Sequence, residues 1–253
     1  MQTSLETSIV LKTFPFQERD RIVVFLTENQ GKFTGIAKGG IGSKRFAGAL
    51  DFLACSKILF VSKTTSEMVR IEEAHSHYEF KNLPTEYEML SSASLASELI
   101  LKIIEPGFES RDLFVILSQF LFQIDGGMNV RQALNAFLVK FYRTMGYPPS
   151  FLRCTSCAKP SHEVVKAFWS KSVAGMVCQE CSSSLDVEVL SAELLLYFSE
   201  LSLKGFQEIR ATVNSDSRIF DQQLFRHLVD FLRVQVPGLP AEGLKSLKQL
   251  DRS

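Results

Sequence analysis

The sequence has no surplus of either charge. Its 253 residues carry 28 Lys and Arg against 28 Asp and Glu. No global field therefore steers the chain toward nucleic acid or an anionic membrane, and charge-driven binding must come from a local patch. No apolar run reaches the roughly 18 residues that would suggest a bilayer span. The opening Met1-Gln2-Thr3-Ser4-Leu5-Glu6 lacks the basic region and apolar stretch of a secretory signal, so a cytoplasmic protein is expected. Tryptophan occurs once, against 21 phenylalanines, which suggests aromatic rings packed in helical interiors rather than on polar surfaces. There is no nucleophile motif, no His-Glu-x-x-His and no acidic cluster suited to Mg²⁺, which points away from an enzyme.

Cysteine is also scarce, and its placement is the most informative feature present. Cys154-Thr155-Ser156-Cys157 is followed, after twenty residues, by Cys178-Gln179-Glu180-Cys181. Two Cys-x-x-Cys pairs at this separation offer four thiolates to one tetrahedral centre, the arrangement Zn²⁺ prefers. Four protein ligands leave no position for an activated water, so the zinc is expected to be structural. A zinc deaminase is excluded, because His162 and Glu163 are adjacent and Val177, not Pro, precedes Cys178. Paired thiols fit a reducing compartment. The fifth, Cys55, lies in an apolar run and reads as a small buried hydrophobe.

The chain is expected to be α+β and multidomain. Residues 1–80 read as five strands rich in Val, Ile, Phe and Thr: Ser8 to Phe16, Arg21 to Thr27, Lys32 to Ala37, Phe52 to Ser62 and Met68 to Phe80. Asn29-Gln30-Gly31 supplies a hairpin turn. Five short strands suggest a closed OB-fold barrel. From Thr85 the apolar period changes to three and four, predicting helices up to Ile103, over Arg111 to Ile124, and after an Asn129 N-cap until Gly146. Residues 81–150 then form the first part of a helical domain and 151–184 an inserted four-cysteine zinc module, with a hairpin around Lys171-Ser172. Residues 185–253 supply two closing helices, Ser191 to Lys204 and Ser217 to Val236, and a frayed tail.

Lys38-Gly39-Gly40-Ile41-Gly42-Ser43-Lys44-Arg45 is neither a Walker loop nor a dinucleotide fingerprint. A flexible glycine loop with three cations can follow a phosphodiester chain without reading bases; it can equally be a solvated loop. From Lys32 to Lys63 there are six basic residues against one acid, Asp51. The basic stretch thus falls on the candidate barrel, a fold that holds single strands with basic grooves and stacking rings. Phe33 and Phe46 are either such rings or core residues.

The order of these parts resembles the RecO family of bacterial recombination mediators along nearly the whole chain. The resemblance rests on Ile9-Val10-Leu11, Glu18-Arg19-Asp20-Arg21-Ile22-Val23, Ala37-Lys38-Gly39 with Ser43-Lys44-Arg45-Phe46, Gly146-Tyr147-Pro148-Pro149 before Cys154, and Leu224-Phe225-Arg226-His227-Leu228. It implies binding of single- and double-stranded DNA and annealing of complementary strands. It further implies partnership with RecR, contact with the acidic tail of the single-strand-binding protein, and help in loading RecA. Phosphate contacts are expected from Lys38, Lys44 and Arg45, with Arg21 in support. The tail would need an apolar groove rimmed by cations, for which Arg111, Arg131, Lys140 and Arg143 are candidates. The alternative is a protein-interaction scaffold with a structural zinc, in which nucleic acid plays no part.

Overall fold

The computed structural model describes residues 2–63, 68–106, 108, 111–212, 218–235 and 243–250. The start at Ser217 and the end at Val236 expected for the last long helix lie outside them. The chain divides into two compact units, Met1–Asp125 with Leu244–Ser253, and Gly126–Gly243.

The first unit is built on a closed barrel of β1 (Gln2–Phe16), β2 (Asp20–Thr27), β3 (Gly31–Ala37), β4 (Cys55–Ser62) and β5 (Val69–Tyr78), in the order β1-β2-β3-β5-β4. This is the OB-fold. β1 begins earlier than its apolar run suggests, because it serves two neighbours. Gln2 to Ile9 pairs with β4, and Ser8 to Phe16 pairs with β2. A register shift between Val10 and Lys12 lets one strand bend between both partners, as bulges do at barrel corners. Gly31 takes φ +82° in the β2–β3 turn, a conformation that costs a side chain and suits glycine. Val10, Val23, Phe25, Ile58, Phe60 and Ile71 fill the interior. Cys55 lies among the buried residues at 2% exposure, and burial pushes its thiol up to about 11.

Helices α1 (Tyr87–Ile103) and α2 (Arg111–Asp125) pack with the barrel in one compact unit. The physical links are specific. Buried Lys32 of β3 donates to the Leu101 carbonyl of α1 at 2.9 Å, and Arg111 of α2 pairs with Glu28 at 2.8 Å. The buried Asp125 carboxylate at the end of α2 accepts backbone N–H groups from Lys81, Asn82 and Leu83 at 3.3, 2.8 and 2.8 Å. A single carboxylate thereby fixes the turn that leaves the barrel, since buried donors need partners.

The frayed tail is corrected. Lys245–Leu250 forms a short helix, α7, packed on α1, with Leu244, Leu247 and Leu250 buried. Glu98 of α1 accepts the backbone N–H groups of Lys245 and Ser246 at 3.0 and 2.9 Å. The three leucines recur at three-residue spacing over too few turns to be distinguished from a loose end by sequence alone.

The second unit surrounds α3 (Val130–Thr144), which is buried on nearly every side, from Gln132 through Tyr142. Asn129 caps it, accepting from the Gln132 N–H at 2.9 Å. Around it pack α4 (Ala192–Leu203) and α6 (Arg218–Gln235); a further helix, α5 (Phe206–Thr212), leaves no clear mark in the sequence, because seven residues carry little periodicity. A small sheet, β6 (Ala167–Ser170), β7 (Gly175–Cys178) and β8 (Val187–Leu190), has the order β7-β6-β8. Its β6–β7 turn spans Lys171 to Ala174, as the expected hairpin requires.

Trp169, Phe151 and Phe198 stack in series at 4.7 and 4.3 Å, and His227 of α6 lies against Trp169 at 4.7 Å. His227 is 1% exposed. Burial holds its imidazole down at about 4 against an ordinary value near 6.5; Glu188 opposes that shift, while Arg226 and Lys171 reinforce it. Above pH 6.5 the ring is neutral folded and unfolded, and its contribution to stability is whole. Between pH 6.5 and 4 the unfolded chain takes up a proton the fold refuses, so stability falls by about 3 kcal/mol. We expect the unfolding midpoint of His227→Phe to fall less over this pH range than that of the parent. Equal slopes would show that His227 is not responsible.

Candidate nucleic-acid interface and metal centre

The segment between β3 and β4 has two faces. Phe46, Ala49 and Leu50 enter the barrel core, and Ser56 donates to the Ala49 carbonyl at 2.7 Å. The segment is tied to the β1 bulge by Val10 N–H to Ala54 O at 3.0 Å and Leu53 N–H to Val10 O at 2.9 Å. Lys38, Lys44 and Arg45 remain exposed. Apolar anchoring therefore fixes one face in the barrel and leaves the cations on the other. The glycine run is structured where it meets the strands: Gly39 N–H donates to the Asp20 carboxylate at 2.8 Å, and Ile41 N–H to the Arg19 carbonyl at 2.9 Å. A Cβ on Gly40 would lie 2.9 Å from the Ala37 carbonyl oxygen, so only glycine allows this approach.

The cations differ in availability. Arg45 donates to the Lys38 carbonyl at 3.0 Å and lies over the Phe46 ring at 4.4 Å, which orients its guanidinium beside Lys38. Half-buried Arg21 is bound to Asp51 at 2.6 Å. Its charge is partly neutralised and its contact holds the segment to β2. Neither ring considered for stacking is free to act. Phe46 is 3% exposed, and Phe33 packs against Phe25 and Phe60 at 6.0 and 4.9 Å.

The four cysteines converge. Their Sγ atoms all lie within 4.8 Å of one another, and Cys157 and Cys178 are 3.7 Å apart. A tetrahedron with arms of ~2.3 Å has edges of roughly 3.8 Å, so the site fits a metal ion and is compatible with zinc. Local backbone makes it. Ala158, at φ +61°, turns the chain so that Ala158 N–H reaches the Cys154 carbonyl and Cys154 N–H reaches Lys159 O, both at 2.8 Å. The second pair sits where β7 passes into a 3-10 turn at Gln179–Cys181. Gly175 is required beside it, because a Cβ there would collide with the Thr155 methyl.

Burial opposes ionisation of Cys154, but N–H groups of Cys157, Cys178 and Ser156 overcome it and bring the thiol down to about 6. One ligand is thus held near its metal-binding thiolate form. Cys181 is pushed up to about 12, first by its hydrogen bond to Cys178 and then by burial. The module does not stand on metal alone, since Phe151 and Trp169 join its sheet to α4 and α6.

Among the cations expected to face a partner, Lys140 instead points into the protein. It is 8% exposed and donates to the Leu201 and Lys204 carbonyls at 3.0 and 2.7 Å. It caps the C-terminus of α4, where a cation suits the exposed carbonyls. Half-buried Arg131 lies over Phe225 at 4.3 Å. Arg143 is exposed and donates to Ser202 O at 3.0 Å. It lines a groove of about 310 Å³ with Val139, Pro148, Leu152, Phe198 and Arg153.

Residues 1–80 match the family model "Recombination protein O N terminal", and residues 84–245 match "Recombination protein O C terminal". The chain belongs to the RecO family. A DNA repair protein RecO of Syntrophus aciditrophicus is 27% identical over 96% of this chain and 93% of its own length. One of Syntrophobacter fumaroxidans is 28% identical over 100% and 99%. Membership in the RecO family gives the chain a role in DNA repair and recombination. No helix among the described residues is long and apolar enough to cross a membrane.

Two features of this RecO chain escaped the sequence. Arg153 precedes the first cysteine, and reading that segment only as a metal module hid it. Phe52 and Tyr78 are exposed at 39% and 43%, although their runs read as buried strand. Tyr78 lies beyond Ala74, the last buried position of β5, and Phe52 lies before β4 rather than in it; periodicity marks such ends only to within a few residues.

Proposed function

We propose that this chain is a non-catalytic recombination mediator that binds single- and double-stranded DNA and anneals complementary strands. The observation that supports this reading is the two-faced β3–β4 segment. Its apolar residues fix it in the barrel, so Lys38, Lys44 and Arg45 are presented together. Fixed cations neutralise phosphates without ordering a loop at each encounter, and they leave bases free to pair. Arg21 acts in support, by holding Asp51 and the segment in place.

With RecR, the chain would help replace the single-strand-binding protein by RecA, in the cytoplasm at the nucleoid. The acidic, apolar-ended tail of the single-strand-binding protein suits the groove lined by Arg143 and Arg153, with Arg131 a further candidate contact. The four cysteines would hold Zn²⁺ as a structural ion, because four thiolates complete its coordination.

Annealing is the decisive activity. Two complementary labelled oligonucleotides should pair faster with the protein than alone, and the acceleration should fade as salt is raised. A rate equal to the uncatalysed rate at low salt would remove the mediator reading and favour the scaffold.

A further inference from the structure

Beside the basic segment, a groove of about 470 Å³ is lined by Lys44, Arg45, Glu73, His75 and Ser76. A second groove of about 330 Å³ is lined by Phe52, Tyr78, Glu79, Phe80 and Pro84. Ala47 and Ser76 line both, so the two form one trough along β5. One end of it is cationic and the other aromatic. Tyr78 is braced by Phe80 and Phe122 at ring distances of 5.1 and 4.5 Å, yet keeps 43% of its surface exposed. Phe52 is exposed to a similar degree. The braced Tyr78 ring offers a stacking surface that need not be ordered on binding, and Phe52 lines the same groove.

The geometry points to a base-stacking subsite for unpaired DNA, formed by Phe52 and Tyr78, that continues the phosphate contacts of Lys44 and Arg45. This inference rests on the DNA-binding reading and adds a preference to it. Phosphates alone attract single strands and duplexes alike, whereas a ring can stack only on a base whose face is free. Glu73 and Glu79 also line the trough. Their charges disfavour phosphates along the β5 wall, which leaves Lys44 and Arg45 as the cationic side. A strand entering there would place its backbone on the two cations and turn its bases toward the rings.

The test compares a thymidine oligonucleotide with a duplex of equal length, using the full chain and fluorescence anisotropy. In Phe52→Leu/Tyr78→Leu, leucine keeps the apolar contacts to Phe80 and Phe122 but removes the ring faces. Single-strand affinity is expected to fall on the order of tenfold or more, with duplex affinity within about twofold of the parent. Tyr78→Phe is expected to retain single-strand binding. Parallel losses for both DNAs, or no loss for either, would overturn the subsite while leaving the basic segment as the DNA contact. So would loss of binding to an acidic, apolar-ended peptide with thymidine binding unchanged, which would make the trough a peptide site. Failure of the unaltered chain to bind either DNA would instead defeat the DNA-binding reading itself.

Discussion

Charge reversal at Lys38, Lys44 and Arg45 together is expected to abolish strand annealing and to lower single-strand affinity about a thousandfold or more. Each charged contact to a phosphate is worth on the order of tenfold in binding, and three acids in their place add repulsion. The fold should persist. The segment is anchored by buried Phe46, Ala49 and Leu50, by Ser56 on the Ala49 carbonyl and by the Arg21–Asp51 pair. None of these requires the reversed side chains. Annealing kinetics together with the thermal midpoint check both halves of the expectation. An unchanged annealing rate in a folded variant would remove the segment from the mechanism.

Metal removal is expected to have the second large effect. Structural zinc contributes roughly 10–16 kcal/mol in small zinc peptides. Here the contribution should be smaller, because Phe151 and Trp169 share a core with α4 and α6. A loss of several kcal/mol would still be a large fraction of a domain's stability. Trp169 is the chain's one tryptophan and is fully buried against Phe151, so its emission reports on the module. Chelation, or replacement of Cys154 and Cys178 by Ser, should shift that emission to the red and lower the thermal midpoint. The purified protein should carry one zinc per chain, bound by four sulfurs. Unaltered emission and midpoint after complete chelation would contradict a structural role.

The features legible in sequence were those with strict local rules. Paired cysteines must share a knuckle, a hairpin needs Gly31, and an inward strand position must be apolar. These gave the barrel, the long helices and the four sulfurs. What escaped depends on distant contacts. Lys140 reads as a surface cation until the carbonyls at the end of α4 are placed beside it. The tail reads as loose until Glu98 meets its first N–H groups. Arg21 reads as a free phosphate ligand until Asp51, thirty residues away, folds back onto it. The assignment of α1 and α2 to the barrel's unit follows from Asp125 and Lys32, whose partners no periodicity reveals.

Three exposed cations on the anchored β3–β4 segment are expected to hold the DNA backbone. The salt dependence of single-strand binding tests this most directly. Each phosphate contact contributes about −0.7 to the slope of log K against log salt on single strands. Replacing Lys38, Lys44 and Arg45 by Gln should therefore make the slope shallower by about 2. A parent slope near zero, or the same slope in both proteins, would show that the backbone is held elsewhere or not at all.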